Sequence, residues 1–523
     1  MTTTSAKVNS QESSGKFKRQ RLAPESVPGT IILSRFKIIG NRVIPDARLK
    51  QLLQPYLFRP ITFVKLLEVQ QAITQLYVEQ GYFTSGAYIP PQTINNRTIR
   101  IEIIEGKIEE IEIYGLKQLR PEYVRSRLAI ATKAPLNQDK LLNALQLLQL
   151  NPLIESISAE LSKGINPGES FLEVKIEEAD TFSTELNLDN YRTPSVGSFS
   201  RQISIGEGNL LGFGDRFNVS YVNTEGSNSL EDLSYVIPLG AYNGEVRLAY
   251  SLSNNQIISE PFQDLDLASE NRYYEATYRQ PLYQTPQQDI TIGVTFSRQN
   301  SQLLLMDRGF PSLTRGSDNQ GKTQISTLRL FQEYSDRSDN HVFAVRSQFS
   351  IGIDTFDATI NSNNVPDSKF LIWRGQAQYL KMLTPKTTIL LRSDLQLADR
   401  SLVSLEQFSS GGALSVRGYS QERILGDNGF FFSAELRNTL WQIPKRDLTL
   451  ELNPFFDFGR VWNSDNLPLE LNTLASLGFG LQLSIGETLT TRIDWGFPLI
   501  NDDSAGDSLQ ESGVYFSIKF KPF

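Results

Sequence analysis

The residue types that enzymes use for covalent and metal chemistry are almost missing from this sequence. It contains no cysteine and a single histidine, His341. Thiol nucleophiles, disulfides, zinc sites and histidine-centred triads therefore lack the residues that would build them. No G-x-S-x-G segment is present either, so a lipase passenger has no support. We expect no catalytic residues, no metal and no cofactor.

One segment does match a motif with known chemistry. Residues 316–323 read GSDNQGKT and fit the phosphate-loop pattern G-x-x-x-x-G-K-[ST]. A phosphate loop needs a buried strand before it and a helix after it, because the helix N-terminus receives the phosphates. Here Pro311 lies upstream, and Leu328 downstream belongs to no helical stripe. The segment is interpreted as a polar outer loop, and Asp502 and Asp503 as solvated loop charge.

Composition restricts the class of protein further. A chain of 523 residues exceeds what one hydrophobic core usually supports, so we expect more than one folding unit. The net charge of -7 opposes nucleic-acid binding, which normally requires a clustered basic face. Mean hydropathy is -0.28, and no apolar run reaches the ~18 residues that a membrane helix needs. If the chain crosses a bilayer, it does so with strands.

From about residue 180 onward the hydrophobic pattern has a period of two. In residues 474–485, apolar side chains alternate with small or polar ones such as Ser476, Gly478 and Gln482. This is the pattern of a membrane barrel, with apolar residues toward lipid and polar ones toward the lumen. About 340 residues at roughly 20 per strand and connection predict about 16 antiparallel strands. The alternative is a large soluble β-sandwich or solenoid.

The region before this barrel, about residues 31–177, is globular and repeats once. Gly40 and Gly115 each follow a short apolar strand, and each is followed by helical spacing of leucines and then by alternating strands. We predict two small α+β modules, each formed by a strand, two helices and two strands. Residues 1–30 are polar, and we interpret them as a disordered tail, with a docked helix as the alternative, in the place of a plug or a linker. They lack the apolar core of a signal peptide, so we expect a mature form.

Specific motifs add a family resemblance. Residues 415–419 read SVRGY and residues 455–459 read FFDFG. They resemble the VRGY loop motif and the F-x-D-x-G strand motif of two-partner secretion transporters, the TpsB or ShlB/FhaC/HecB family. Residues 77–106 also resemble the first POTRA (polypeptide-transport-associated) module of these proteins. The resemblance divides the chain into the tail (1–30), module 1 (31–106), module 2 (107–178) and a transmembrane barrel (179–523) with an inward loop around residues 404–428.

With both motifs present, the sequence predicts a loop lock. A bidentate pair between Arg417 on the loop and Asp457 on the lumen face would hold the loop inward. Gly418 would permit a tight turn, Tyr419 would pack with a polar tip, and Gly459 completes the strand motif. Without the resemblance, a surface arginine and an unrelated lumen acid would be the simpler interpretation.

The resemblance also implies a function. It implies a bacterial-type outer-membrane transporter, with its POTRA modules in the periplasm, that secretes a large unfolded exoprotein such as an adhesin, a haemolysin or a contact-dependent toxin. The expected partners are this secreted polypeptide, outer-membrane lipid and, during biogenesis, the barrel-assembly machinery; no nucleic acid is expected, and the protein is expected to be a monomer. The residues expected to contact the client are Tyr77, Tyr82, Tyr88, Leu141 and Leu145. The alternatives are a barrel-assembly insertase and a passive outer-membrane channel.

Overall fold

The computed structural model of the chain describes residues 29–260, 262–306, 308–309, 315–362, 365–465, 467–502 and 506–522. Residues 1–28 of the predicted tail, and with them the plug or linker interpretation, lie outside the described residues. The chain divides into two compact units. The first contains the described residues up to 109 with 134–138 and 163–170, and the second contains 110–133, 139–162 and 171 onward.

Module 1 is a small sheet covered by helices. Its elements are β1 (Thr30–Ile32), β2 (Arg35–Ile39), α1 (Asp46–Leu53), β3 (Pro60–Thr62), α2 (Phe63–Glu79), β4 (Gly86–Tyr88) and β5 (Thr98–Ile104). The sheet order is β2-β5-β4, with β2 parallel to β5, and β1 pairs separately with β3. The Thr62 hydroxyl caps α2 by accepting a hydrogen bond from the Lys65 backbone N–H. Leu66, Val69 and Ile73 on one helix face are buried in the module core. The β1–β3 pair was not predicted, because strands of three residues are too short to show a period.

Module 2 repeats the same plan. It contains β6 (Lys107–Tyr114), α3 (Pro121–Ala131), α4 (Gln138–Gln149), β7 (Ile154–Lys163) and β8 (Glu169–Glu178), with the sheet order β6-β8-β7. The two glycines seen in the sequence have matching roles. Gly40 and Gly115 have φ of +91° and +88°, and an added Cβ would lie 2.4 Å from the Ile103 carbonyl oxygen and 2.2 Å from that of Ile176. Each strand ends in a left-handed residue pressed against a neighbouring strand, where only glycine fits.

The remaining chain forms a closed antiparallel barrel. Its strands are β9 (Phe182–Asp189), β10 (Ser200–Gly208), β11 (Arg216–Asn223), β12 (Ser227–Leu239), β13 (Gly244–Gln256), β14 (Leu267–Gln284), β15 (Gln288–Leu305), β16 (Arg308–Gly309), β17 (Lys322–Arg337), β18 (His341–Ile353), β19 (Leu371–Thr384), β20 (Thr387–Ala398), β21 (Phe408–Ser410), β22 (Ile424–Gly426), β23 (Asn428–Ile443), β24 (Leu448–Trp462), β25 (Thr473–Ile485), β26 (Leu489–Pro498) and β27 (Val514–Phe520). In the described part of the chain, sixteen of these strands close the barrel, and β16 is a two-residue addition at the end of β15. Strands β21 and β22 pair with each other in a separate two-stranded sheet that is not part of the barrel wall. The predicted fold class and strand number are confirmed. No helix among the described residues is long and apolar enough to cross a membrane.

The two faces of the wall differ as the alternation predicted. On β25, Leu477, Phe479 and Leu481 point outward and are 49%, 42% and 44% exposed, whereas Ser476 on the opposite face is fully buried. The inward face carries ion pairs, for example Arg374 Nη2 with Asp394 Oδ2 at 2.6 Å. A wall with apolar side chains outside and charged ones inside is stable only when lipid surrounds it and water fills it.

Several strands are longer than the alternation indicated. β14 and β15 each have 18 residues, although a membrane crossing needs only about 9–11. Residues 254–272 and 299–323 lie between the alternating segments of the sequence and would be interpreted as long outer loops, but β15 continues to Leu305. Beyond the lipid both faces of a strand meet water, so residues such as Asn300 and Gln302 show no apolar face for a pattern to detect.

Module 2 is anchored to one end of the barrel. The turn of residues 209–215, between β10 and β11, receives the Arg120 backbone N–H on the Gly212 carbonyl oxygen at 2.7 Å. Tyr123 of α3 lies against Gly214, where an added Cβ would be 2.4 Å from the ring. We call this the near end of the barrel. Connections there are short, and the long ones, including residues 399–427 between β20 and β23, lie at the far end.

Candidate functional site

The far-end loop of residues 399–427 folds back into the barrel. Its hairpin β21–β22 packs through a small apolar cluster in which Val416 and Tyr419 meet the wall residues Val461 and Leu474. All four side chains are at most 2% exposed. An apolar cluster inside a polar barrel is the local packing that keeps this loop in one place, since withdrawal would expose it to water.

Arg417 is at the centre of the loop and is 2% exposed. Its Nε lies 2.8 Å from Asp457 Oδ2 and its Nη2 lies 3.0 Å from Asp457 Oδ1, so the pair is bidentate. The Arg417 backbone N–H also donates to Asp457, at 3.2 Å. The Ser433 hydroxyl donates to the same carboxylate at 2.7 Å. The structure therefore brings together the two residues that the sequence predicted as a pair, with one carboxylate fixed by four donors.

The same guanidinium reaches two further acids, which no motif in the sequence marks. Arg417 Nη1 lies 2.7 Å from Glu435 Oε2 and 3.3 Å from Asp494 Oδ1. Arg492 Nη2 bridges these acids at 2.8 Å and 2.7 Å. The result is a buried ion network that joins the loop to β23, β24 and β26. Because each group has an oppositely charged partner, the network avoids the desolvation penalty of an unpaired buried charge.

The remaining motif residues shape the space around this network. The Arg417 guanidinium lies 3.4 Å from the centroid of the Phe455 ring, a cation–π contact. Gly459 leaves room for the loop, since an added Cβ would be 2.2 Å from Ser410 Oγ and 2.8 Å from Val416 Cγ2. Gly418 has φ of +102°, which a residue with a side chain adopts only with strain.

Tyr419 fixes the loop by its hydroxyl. This group donates toward the carbonyl oxygens of Ala475 and Ile500, each at 2.9 Å, and accepts from the Ile500 N–H at 3.1 Å. On β27, the Tyr515 hydroxyl accepts from the Gly418 N–H at 3.0 Å and donates to the Tyr419 carbonyl oxygen. The loop is thus bonded to the wall through backbone as well as side chains.

The structure corrects the interpretation of Asp502 as solvated charge. Asp502 Oδ1 lies 2.6 Å from Arg423 Nη2, a second bidentate pair between the inward loop and a far-end loop. Its side chain is 11% exposed. No periodic signal in the sequence marks this contact because both residues lie in loops, and Asp503 is outside the described residues.

The segment that fits the phosphate-loop pattern has no phosphate cradle. Residues 316–321 form turns, and β17 follows directly at Lys322 where a helix would be required. The Asp318 side chain accepts hydrogen bonds from the backbone N–H groups of Gln320 and Lys322, at 2.7 Å and 2.9 Å. These are among the N–H groups that a phosphate would need, so the local geometry opposes a nucleotide site.

A match to a protein-family model shows which family this chain belongs to. The model of haemolysin secretion/activation protein ShlB/FhaC/HecB matches residues 168–483, more than half of the chain. The chain belongs to the ShlB/FhaC/HecB family. The ShlB-type POTRA domain model matches residues 31–106. The resemblance drawn from the loop and strand motifs is confirmed.

Curated relatives of this ShlB/FhaC/HecB protein are distant but nearly full-length. It is 22% identical over 495 residues to the heme/hemopexin transporter protein HuxB of Haemophilus influenzae, covering 90% of this chain and 84% of the other. It is 23% identical over 451 residues to the outer membrane transporter CdiB of Dickeya dadantii, covering 84% of this chain and 76% of the other.

Solved structures show the same fold. CdiB from Escherichia coli superposes with a TM-score of 0.73 at 19% identity, over 96% of this chain and 93% of that one. BamA from Haemophilus ducreyi lacking POTRA domains 1–3 gives 0.56 at 15% identity, over 94% of this chain and 100% of the other. These likenesses concern fold only.

The POTRA residues expected to contact a client divide into two groups. Tyr88 is 42% exposed on the edge strand β4, and Tyr82 and Leu145 are half-buried. Tyr77 and Leu141 are buried, with 0% and 7% exposure, so the expectation that they meet a client needs correction. The physical reason is that both side chains are packed inside their modules, Tyr77 in the core cluster that also contains Ile73 and Ile101.

Tyr77 instead has an internal polar partner. Its hydroxyl donates to Asn41 Oδ1 at 2.7 Å, and Glu105 Oε1 lies 3.5 Å away. Burial, with the Glu105 carboxylate beside it, raises the pKa of the Tyr77 hydroxyl well above its ordinary value. Tyr77 therefore ties the strand-to-helix connection near Gly40 to the end of β5 in this POTRA module.

Proposed function

We propose that this protein secretes a large unfolded partner polypeptide across the outer membrane, with its POTRA modules capturing the client in the periplasm and its barrel conducting it to the cell surface. Membership in the ShlB/FhaC/HecB family supports this function, and the named relatives HuxB and CdiB are transporters. The division into modules 1 and 2 and a barrel with an inward loop is part of the proposal.

The observation that carries the proposal is the loop itself. A cavity of about 640 Å³ in the lumen is lined by wall residues such as Arg374 and Asp394 and by loop residues such as Leu414 and Gln421. The loop thus forms part of the wall of the channel. A loop held inside the lumen by a buried ion network must be displaced before an extended polypeptide can pass, so its position can gate a secretion pore.

The lumen surface suits an extended polypeptide. Paired charges such as Arg247 with Asp232 and Glu275, at 2.6 Å and 2.8 Å, line the wall without a strong excess of one sign. A chain of mixed sequence can slide past such pairs without being retained by one strong site. Passage of a polypeptide requires the loop to withdraw, and we propose that five residues form the lock that controls its withdrawal: Arg417, Gly418, Tyr419, Asp457 and Gly459.

Capture would occur at the modules. In the described part of the chain, β7 lies at an edge of the module 2 sheet and has ten residues. An extended client can add a strand to such an edge, gaining main-chain hydrogen bonds with little dependence on sequence. Exposed apolar residues, including Tyr88 on the β4 edge of module 1, would add side-chain contacts. Folding of the client outside the cell would give the transport its direction.

A second function, insertion of other barrels into the membrane, is favoured by one observation. The seam between the last strand β27 and the first strand β9 has four paired positions, fewer than the eight between β9 and β10. The family membership favours secretion. Deletion of residues 31–177 separates the candidates: a secretion pore should lose one large exoprotein, an insertase should lose many outer-membrane proteins, and a passive channel should still conduct.

Energy supply gives a second test. Purified protein in lipid vesicles should move a cognate unfolded client without ATP, because the proposed driving force is folding on the far side. Failure of transport in the absence of ATP, with transport restored by ATP, would contradict that part of the proposal.

A further inference from the structure

The seam of the barrel is completed by a side chain. β27 pairs with β9 from Phe520 opposite Leu186 to Ser517 opposite Asp189, where β9 ends. Beyond that point, toward the far end, β27 also contains residues 514–516. Because β9 ends at Asp189, it has no strand residues left to pair with the backbone N–H and C=O groups of residues 514–516, and these groups need other partners.

Asn190 provides hydrogen-bond partners for this part of β27. Its Nδ2 donates to the Val514 carbonyl oxygen at 2.9 Å, and its Oδ1 accepts from the Phe516 N–H at 2.8 Å. Its own backbone N–H reaches the Phe516 carbonyl oxygen at 3.3 Å. The side-chain amide uses one N–H donor and its oxygen acceptor here, as a backbone residue in a ladder uses its N–H and C=O. Asn190 is 2% exposed, so water does not replace these bonds in the closed state.

A second buried amide connects Asn190 to the inward loop. Gln510 is fully buried, and its Nε2 donates to the carbonyl oxygens of Asn190 and Arg192, the latter at 2.6 Å. Its Oε1 accepts from the backbone N–H of Gln421 at 2.9 Å. Gln421 belongs to the inward loop, a short way after Arg417 in the sequence. One glutamine therefore bonds the end of β9, the segment leading into β27 and the loop.

We infer that Asn190 and Gln510 form a seam clasp, a pair of positioning residues that makes closure of the barrel seam depend on the inward loop. The inference rests on the proposed function, in which the loop withdraws during secretion. When the loop leaves, Gln510 Oε1 loses the Gln421 N–H, and the Tyr515 hydroxyl on β27 loses its bonds to the loop backbone. The far half of the seam then loosens, and the barrel widens around the passing chain.

The absence of cysteine from the sequence permits a direct measurement of the seam. Asn187 and Lys519 are direct partners across it, so Asn187→Cys with Lys519→Cys accepts two spin labels. Ser484→Cys with Thr490→Cys gives a matched pair across β25 and β26, away from the clasp. Electron–electron distance measurements are made on the folded protein in lipid vesicles, with resistance of the barrel to dissociation by detergent as the check of folding.

Gln510→Leu should add a second, longer distance at the seam pair and leave the control pair unchanged. Arg417→Ala should do the same. The distance distribution of the double variant should be no broader than that of either single variant, because both changes act through one connection. Gln510→Glu, which keeps an acceptor for Gln421 but loses the donor to Asn190, should also open the seam. A single unchanged seam distance in Gln510→Leu overturns the clasp, as does strictly additive broadening.

Secretion by the same cysteine variants separates this inference from the proposed function. A short thiol cross-linker that contains a reducible bond, applied to the Asn187→Cys, Lys519→Cys variant, should stop secretion of the exoprotein, and a reductant should restore it. The cross-linked control pair should secrete throughout. Secretion through the cross-linked seam, with Arg417→Ala still defective, would overturn the clasp and leave the proposed function standing. If no exoprotein depends on this chain, the proposed function fails while the distance result still decides the clasp.

Discussion

Removal of the Arg417 side chain should release the inward loop. In Arg417→Ala, Asp457 loses both arms of its bidentate partner and keeps the Ser433 hydroxyl at 2.7 Å, while Glu435 and Asp494 keep Arg492. Breaking one side of a buried pair typically costs about 3–5 kcal/mol because a charge is left without its partner. At about 1.4 kcal/mol per tenfold change, the ratio of inward to withdrawn loop should fall by roughly 10²-fold to 10⁴-fold.

The assay reports loop position rather than overall stability. Spin labels at Leu414→Cys on the loop and Lys386→Cys in a near-end turn measure the distance between loop and wall end. Arg417→Ala should shift this distance to a longer and broader distribution, and Arg417→Lys, which keeps the charge but loses the fork, should lie between. Asp457→Ala should produce the same shift, and the double variant should add little to either. An unchanged distance in Arg417→Ala, or full additivity of the two changes, would refute the lock.

Three other outcomes follow from the wall, the anchor and the modules. Leu481→Arg on the lipid face should destabilise the folded barrel by about 2–4 kcal/mol, and Gln482→Arg on the lumen face by much less, as measured by urea titration in lipid vesicles; equal effects would contradict the assignment of faces. Gly214→Ala should weaken the anchor to module 2, because the added Cβ would meet the Tyr123 ring and the φ of +81° is left-handed. Cross-linking across this contact should drop while the barrel still folds, and undiminished cross-linking would count against the anchor. Because folding raises the pKa of Tyr77, the stabilising contribution of this side chain is complete below the ordinary tyrosine pKa of about 10 and is lost as pH rises through the folded pKa. Tyr77→Phe should therefore flatten the decline of the unfolding free energy at alkaline pH, and an unaltered decline would argue against this burial.

The wall of the barrel could be predicted from sequence because lipid imposes a simple rule. Leu477, Phe479 and Leu481 had to alternate with small and polar residues once the strand was in a membrane, and the strand number followed from length. The outer parts of β14 and β15 were not predicted because water surrounds both of their faces there. Asp502 was misinterpreted for a related reason, since loop residues carry no period and its partner Arg423 is far away in the sequence.

The site was only partly accessible to such reasoning. Arg417 and Asp457 could be paired through their motifs, but nothing local distinguishes Glu435 or Asp494 from the many other lumen charges. Their contact with Arg417 depends on the closure and register of the whole barrel. Tyr77 was expected to contact a client, but it is buried in the core of module 1, and no local feature of the sequence around it reveals that packing.

The most direct test of the account is a quantitative comparison of proteins at the cell surface, in the medium and in the outer membrane, with and without this chain. Deletion should remove one very large secreted polypeptide from the surface and medium and leave the other outer-membrane proteins at their normal levels. The intact chain should restore secretion, and Arg417→Ala should not. A general loss of outer-membrane barrels, or an unchanged set of secreted proteins, would contradict it.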